Sequence, residues 1–148
     1  HLSEKEVKMA KSVEAKSVDA VIRQYLADKG CVMSPPKTKN GETGADIIAR
    51  HDKRRWFVEV IGFQEVPPLR SREFYEAFFR VISRDEDNPD DTLVLGLPKR
   101  FKQGMKQRMK HYGVAWQKLG KAFPNLVIWY VDTEQNKVEE YSWLVPVD

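Results

Sequence analysis

Apolar and small side chains at Val7, Ala10, Ser17, Val18, Val21, Ile22, Tyr25 and Leu26 recur at the spacing of one helix face, predicting a long helix over residues 3–29. Ser3, with Glu6 three places on, reads as a capping box, and Gly30 as the stop. Residues 31–34 read as a short strand and the Pro-, Lys- and Gly-containing stretch 35–41 as a loop. Two β-prone runs follow, Gly44-Ala45-Asp46-Ile47-Ile48-Ala49 and Trp56-Phe57-Val58-Glu59-Val60-Ile61, joined by the polar His51-Asp52-Lys53-Arg54 as a hairpin. Pro67-Pro68 breaks the chain before a helix over residues 71–84, with Ser71 as its cap and Phe74, Ala77, Phe78, Val81 and Ile82 as its apolar face. Residues 85–91 form an acidic, turn-rich connection, and the unbroken apolar run 92–97 reads as a buried strand. Beyond Pro98 the pattern predicts a helical region over 99–120, interrupted at Gly113. A closing hairpin pairs 125–131 with 137–144.

The hairpin carries the most telling chemistry. With the turn centred between Asp52 and Lys53, Arg50 faces Arg55, Ile48 faces Phe57 and Asp46 faces Glu59. Residues directly opposite share a sheet face, so the two carboxylates would stand together beside Ile48, Phe57 and Ile61. Two acids among apolar neighbours are costly unless positive charge compensates them, and a hard divalent cation is the obvious candidate. The bland alternative is a pair of solvated carboxylates on an outer face.

An Asp opening one strand, a Glu two places before an expected Lys on the next, and an aromatic-rich helix after it resemble the restriction-endonuclease-like PD-(D/E)xK nucleases. The resemblance runs over about residues 3–97 in the element order α-β-β-β-α-β. It implies an α/β fold with a mixed central sheet flanked by helices. Residues 98–148 would extend that single domain by a helical region and a β-hairpin. It further implies hydrolysis of phosphodiester bonds with Mg²⁺ or Mn²⁺, Asp46 and Glu59 as catalytic metal ligands, and a lysine that helps activate water. Many members also aim a glutamate from the first helix at the metal, a role that would fall to Glu14; its bland reading is an exposed charge at the margin of the apolar stripe, paired with a nearby Lys. The chain departs from the pattern at Ile61, which stands where the lysine belongs and can neither donate a hydrogen bond nor hold charge. Ala45 replaces the usual proline, a lesser difference. Lys37, Lys39, Gln64 and Arg72 are the candidates for a relocated group, and the sequence does not choose among them.

Composition narrows the classes. At 148 residues and 41% hydrophobic, the chain suits one domain with one core. The net charge of +3 is too small for a general nucleic-acid coating protein. The single cysteine, Cys31, excludes an internal disulfide, reads as a buried strand thiol and suits a reducing cytoplasm. No run has the length of a membrane helix or the form of a signal peptide. Charge is nevertheless concentrated: residues 98–121 hold eight Lys and Arg and no acid. Lys99, Arg100, Lys102, Lys106 and Lys110 in this stretch, with Arg72, are candidate phosphate contacts, DNA being favoured over RNA. The acidic connection lacks the oxygen spacing of a calcium loop, and His51 and His111 are too isolated for a zinc site.

Two readings stand in opposition. One is a divalent-metal-dependent nuclease; the other, which Ile61 favours, is a nuclease-like domain that binds nucleic acid or a protein without cutting. A third makes the aromatic hairpin (Trp129, Tyr130, Tyr141, Trp143) the surface of a homodimer.

Overall fold

The computed structural model describes residues 4–37 and 44–148, with side chains from residue 13 onward. Ser3 and its capping box, and Lys39, lie outside the described residues. The elements run α1 (Glu4–Asp28), β1 (Val32–Met33), β2 (Ile47–His51), β3 (Arg54–Val60), α2 (Pro67–Ile82), β4 (Asp91–Pro98), α3 (Lys102–Tyr112), α4 (Val114–Ala122), β5 (Leu126–Asp132) and β6 (Lys137–Ser142). All strands join one six-stranded mixed sheet in chain order. β1, β2 and β3 form an antiparallel meander, β4 and β5 continue parallel to β3, and β6 closes antiparallel to β5.

Each parallel step needs a crossover, and helices supply both. α2 links β3 to β4, and α3 with α4 links β4 to β5. They share one sheet face, where Phe74, Ala77, Phe78 and Val81 of α2, Met105 of α3 and Trp116 of α4 meet Phe57, Ile61, Leu93, Leu95 and Ile128. α1 covers the other face, setting Val18, Ile22 and Leu26 against Ile47, Trp56, Val58, Val94 and Trp129. It approaches so closely that a Cβ on Gly96 would fall 2.5 Å from the Ile22 side chain. No described helix is long and apolar enough to cross a membrane.

The hairpin keeps the expected register, with Arg50 opposite Arg55 and Ile48 opposite Phe57. Gly113, at φ 48°, separates α3 from α4 where the break is predicted. Four expectations need correction. Pro67 and Pro68 do not precede a helix starting at Ser71 but open it, since a first turn needs no N–H and favours proline's fixed φ. Ser71 is then an interior residue whose hydroxyl accepts a bond from Arg108. Cys31 is half-buried and lies outside the strand; its thiol is pushed up by burial. Asp91, assigned to the solvated connection, is buried against Arg55.

Of the four aromatic residues of the expected dimer surface, Tyr141 is half-buried and the other three are buried. Trp129, Tyr130 and Trp143 are at most 2% exposed. Trp143 stacks on Trp116 with centroids 3.8 Å apart, and each indole N–H donates to the other residue's carbonyl, at 2.9 and 3.0 Å. These rings pack within the fold.

Candidate carboxylate site

Asp46 lies one residue before the β2 ladder, whose last pair is Ile47 with Val58, so the register carries it opposite Glu59. Its carboxylate is held at both oxygens: Oδ2 accepts the Val60 N–H at 2.8 Å, and Oδ1 lies 3.4 Å from Lys37 Nζ. Lys37 is itself fixed by a 2.6 Å bond to the Gly44 carbonyl. From α1, Arg23 reaches across the start of β2. It donates to the carbonyls of Ser34 at 2.6 Å and Asp46 at 3.3 Å, while pairing with Asp19 at 2.6 Å. The backbone that presents Asp46 is thus tied down by a charged donor.

Glu59 is 2% exposed, near the end of β3 between Val58 and Val60. Arg80, near the end of α2, and Arg84, in the turn just after it, approach its oxygens at 3.5 and 3.6 Å, beyond good hydrogen-bond length. Oε1 has no hydrogen-bond partner. Burial first, then the Asp46 charge, push the Glu59 carboxyl up to about 7; the two arginines oppose that shift and a hydrogen bond with Asp46 adds to it. The pair therefore holds, in Glu59, a carboxyl that changes charge near neutral pH.

The relocated-lysine candidates separate cleanly. Ile61 is 1% exposed and packs in the core beneath α2, where a lysine would be buried among aromatic and aliphatic side chains. Gln64 is turned inward and donates to Glu73 at 3.0 Å. Arg72 projects into solvent and pairs with Glu76 at 3.4 Å. Among the described candidates, Lys37 is the one that reaches Asp46.

Glu14 does not join the pair. It is bound to Arg100 at 2.5 Å, and Arg100 also holds Glu65 at 2.9 Å and the Phe63 carbonyl at 3.2 Å. The α1 carboxylate that feels Asp46 is Asp19, raised by burial despite its Arg23 partner, with the Asp46 charge adding to the rise. Asp19, Arg23, Arg80 and Arg84 are the site residues that sequence reasoning passes over; the Asp19–Arg23 spacing on α1 was the available signal.

The basic stretch also divides. Lys99 pairs with Asp132 at 3.7 Å, Lys102 with Glu139 at 2.8 Å and Arg100 with Glu14 and Glu65, so these cations are engaged within the fold. Lys106 and Lys110 remain exposed. Folding thus brings β5, β6, α1 and the loop after β3 against the first half of this stretch.

Among the described residues no group of three or more His, Cys, Asp and Glu is placed to hold a metal ion. The oxygen donors available are the two carboxylates, and a Glu59 Oε1 that makes no hydrogen bond fits a hard cation that could use it. No protein-family model, curated protein or solved structure matches the chain.

Proposed function

We propose that this protein is a divalent-metal-dependent phosphodiesterase acting on nucleic acid, with DNA the favoured form, built on a restriction-endonuclease-like core. The observation that carries the reading is the meeting of Asp46 and Glu59 across the β2–β3 hairpin, with the buried Glu59 Oε1 left without a hydrogen-bond partner. The succession α1-β1-β2-β3-α2-β4 in one mixed sheet supports the core assignment.

Asp46 and Glu59 would hold Mg²⁺ or Mn²⁺. Such a cation, when bound, offsets charge on the phosphate and makes water a better nucleophile. The chain's own contributions follow from position. The Val60 N–H fixes one oxygen of Asp46 and so aims the other. Lys37 brings to that second oxygen the positive charge that Ile61 cannot supply. Arg80 and Arg84 keep Glu59 from rising further, so that it can lose its proton near neutral pH.

One observation favours the non-cutting alternative: Arg80 and Arg84 already place two positive groups against Glu59. Turnover decides. The protein is incubated with supercoiled, linear and branched DNA and with RNA, in Mg²⁺ and then Mn²⁺, beside Asp46→Ala and Glu59→Ala. Cleavage lost in both variants is the expected result. No cleavage of any substrate by the unaltered protein would replace this reading with nucleic-acid binding alone.

A further inference from the structure

Beyond the carboxyl ends of the parallel strands lie two open clefts of similar size, about 860 Å³ past β3 and β4 and about 830 Å³ past β4 and β5. Their charges differ. The second is lined by Glu14, Asp132, Glu134 and Asp148 as well as by lysines, so its field is mixed. The first, between α2 and α3, has Arg70, Arg100, Arg108 and Lys110 on its wall and no carboxylate among its lining residues. Arg100 is engaged by Glu14 and Glu65. Arg70 and Arg108 instead use neutral partners: Arg70 donates to the Gln64 carbonyl and stacks on Phe63, and Arg108 donates to Ser71 and stacks on Phe74. Lys110 is exposed. The arginines are thus held in place without a negative group lining the cleft to cancel their field.

The same cleft carries two aromatic surfaces. Tyr75 of α2 and Tyr112 of α3 meet with hydroxyls 2.5 Å apart and rings nearly perpendicular, each ring remaining more than a third exposed. Fixed cations beside solvent-facing rings make a surface for a polyanion whose planar groups are free to stack. A duplex keeps its bases stacked on one another; an unpaired strand does not. Ligands of open α/β sheets characteristically enter beyond the carboxyl ends of the strands, and Phe63, at the mouth of this cleft, follows Glu59 by four residues.

We propose that the cleft between α2 and α3 binds a single strand of nucleic acid, its phosphates on Arg70, Arg108 and Lys110 and its bases against Tyr75 and Tyr112. The choice of polyanion rests on the proposed action on nucleic acid; the cleft itself lies outside the carboxylate pair.

The test is fluorescence anisotropy of the full chain with a labelled oligothymidine of about twelve nucleotides and with a duplex of equal length. Chelator is present throughout, so binding is read without cleavage. The Arg70→Gln, Lys110→Gln double variant should bind the single strand at least about tenfold more weakly, its salt dependence reduced by roughly 0.7 log units per lost phosphate contact. Tyr112→Leu should weaken single-strand binding while leaving the salt slope unchanged. Lys53→Gln, the loss of one positive charge on the β2–β3 turn, should stay within about twofold, and thermal melting checks that each variant folds. Binding by the double variant equal to that of the unaltered protein, or tighter binding of the duplex than of the single strand, would overturn the proposal. A protein that binds in this way and cuts nothing upholds the cleft and removes the hydrolytic reading. One that cuts but ignores these substitutions does the reverse.

Discussion

Two buried carboxylates stand on neighbouring strands of the same sheet, each facing arginine, and the fold treats them differently. Asp91, at the start of β4, is gripped by Arg55 in a two-pronged pair, Nε to Oδ1 at 2.8 Å and the terminal nitrogen to Oδ2 at 2.7 Å. Both oxygens are engaged, and the two residues are direct partners in the sheet register. Glu59 lies four residues along β3 from Arg55, as deeply buried as Asp91, yet its arginines stay at 3.5 and 3.6 Å and one oxygen has no hydrogen bond. A carboxylate kept only for stability is closed by its own bonds, as Asp91 is. One left open in the interior costs stability, and that cost is reasonable where a further positive ligand is to be accepted.

The sharpest way to break the comparison is to neutralise each acid in turn. Glu59→Gln and Asp46→Asn should each lower metal-dependent cleavage by about a thousandfold, read in single-turnover assays, while the melting temperature stays level or rises. Asp91→Ala should do the opposite. Cleavage should persist near its original rate at low temperature, but the melting temperature should fall by roughly 5–10 °C, because Arg55 loses its two-pronged partner. Should both acids prove equally costly to stability and neither matter to cleavage, the contrast would be structural only.

Acidity gives a finer discriminator. The Glu59 carboxyl stands at about 7 in the folded chain against an ordinary value of 4.5. The folded state therefore holds a proton that the unfolded chain has already lost between those two values. Stability from this group is complete below about pH 4.5 and declines as pH rises toward 7, flattening above it. Over that window the metal-free protein should lose on the order of 2 kcal/mol, measured by urea unfolding with chelator present. Glu59→Gln should remove this slope, and added Mg²⁺ should restore stability at the alkaline end. A profile unchanged by the substitution would mean that the slope comes from other groups.

Much of this frame is legible in the chain because it is local. Period-two alternation around a two-residue turn fixes the β2–β3 register, and with it the meeting of Asp46 and Glu59. Features set by distant packing are not. Helix spacing told which side of α1 Glu14 occupies, but not where along the axis the β2–β3 pair crosses. Asp19, roughly 7 Å farther along, is the one that feels Asp46. The Trp116–Trp143 stack joins residues 27 apart through two elements, which no local pattern announces. Arg80 and Arg84 read as ordinary surface charges because their target lies inside the sheet. Ile61 illustrates the reverse case: its chemistry was plain from the sequence, but only the packed core explains why no lysine stands there.

The smallest expected effect concerns what replaces that lysine. Lys37 lies 3.4 Å from Asp46 Oδ1 and is about 30% exposed, so water shares in screening its charge. Its contribution should accordingly be modest: Lys37→Met is expected to slow cleavage about tenfold with little change in apparent metal affinity, and Lys37→Arg to recover part of the loss. The two substitutions differ in what they keep. Methionine retains the packing of the aliphatic stem and removes the charge, whereas arginine keeps the charge and alters its shape. A rate that tracks charge would assign to Lys37 the electrostatic part of the role that Ile61 gives up. A rate indifferent to both substitutions would leave Arg80 and Arg84 as the described cations nearest the pair, and Arg80→Gln would then be the variant to slow the reaction.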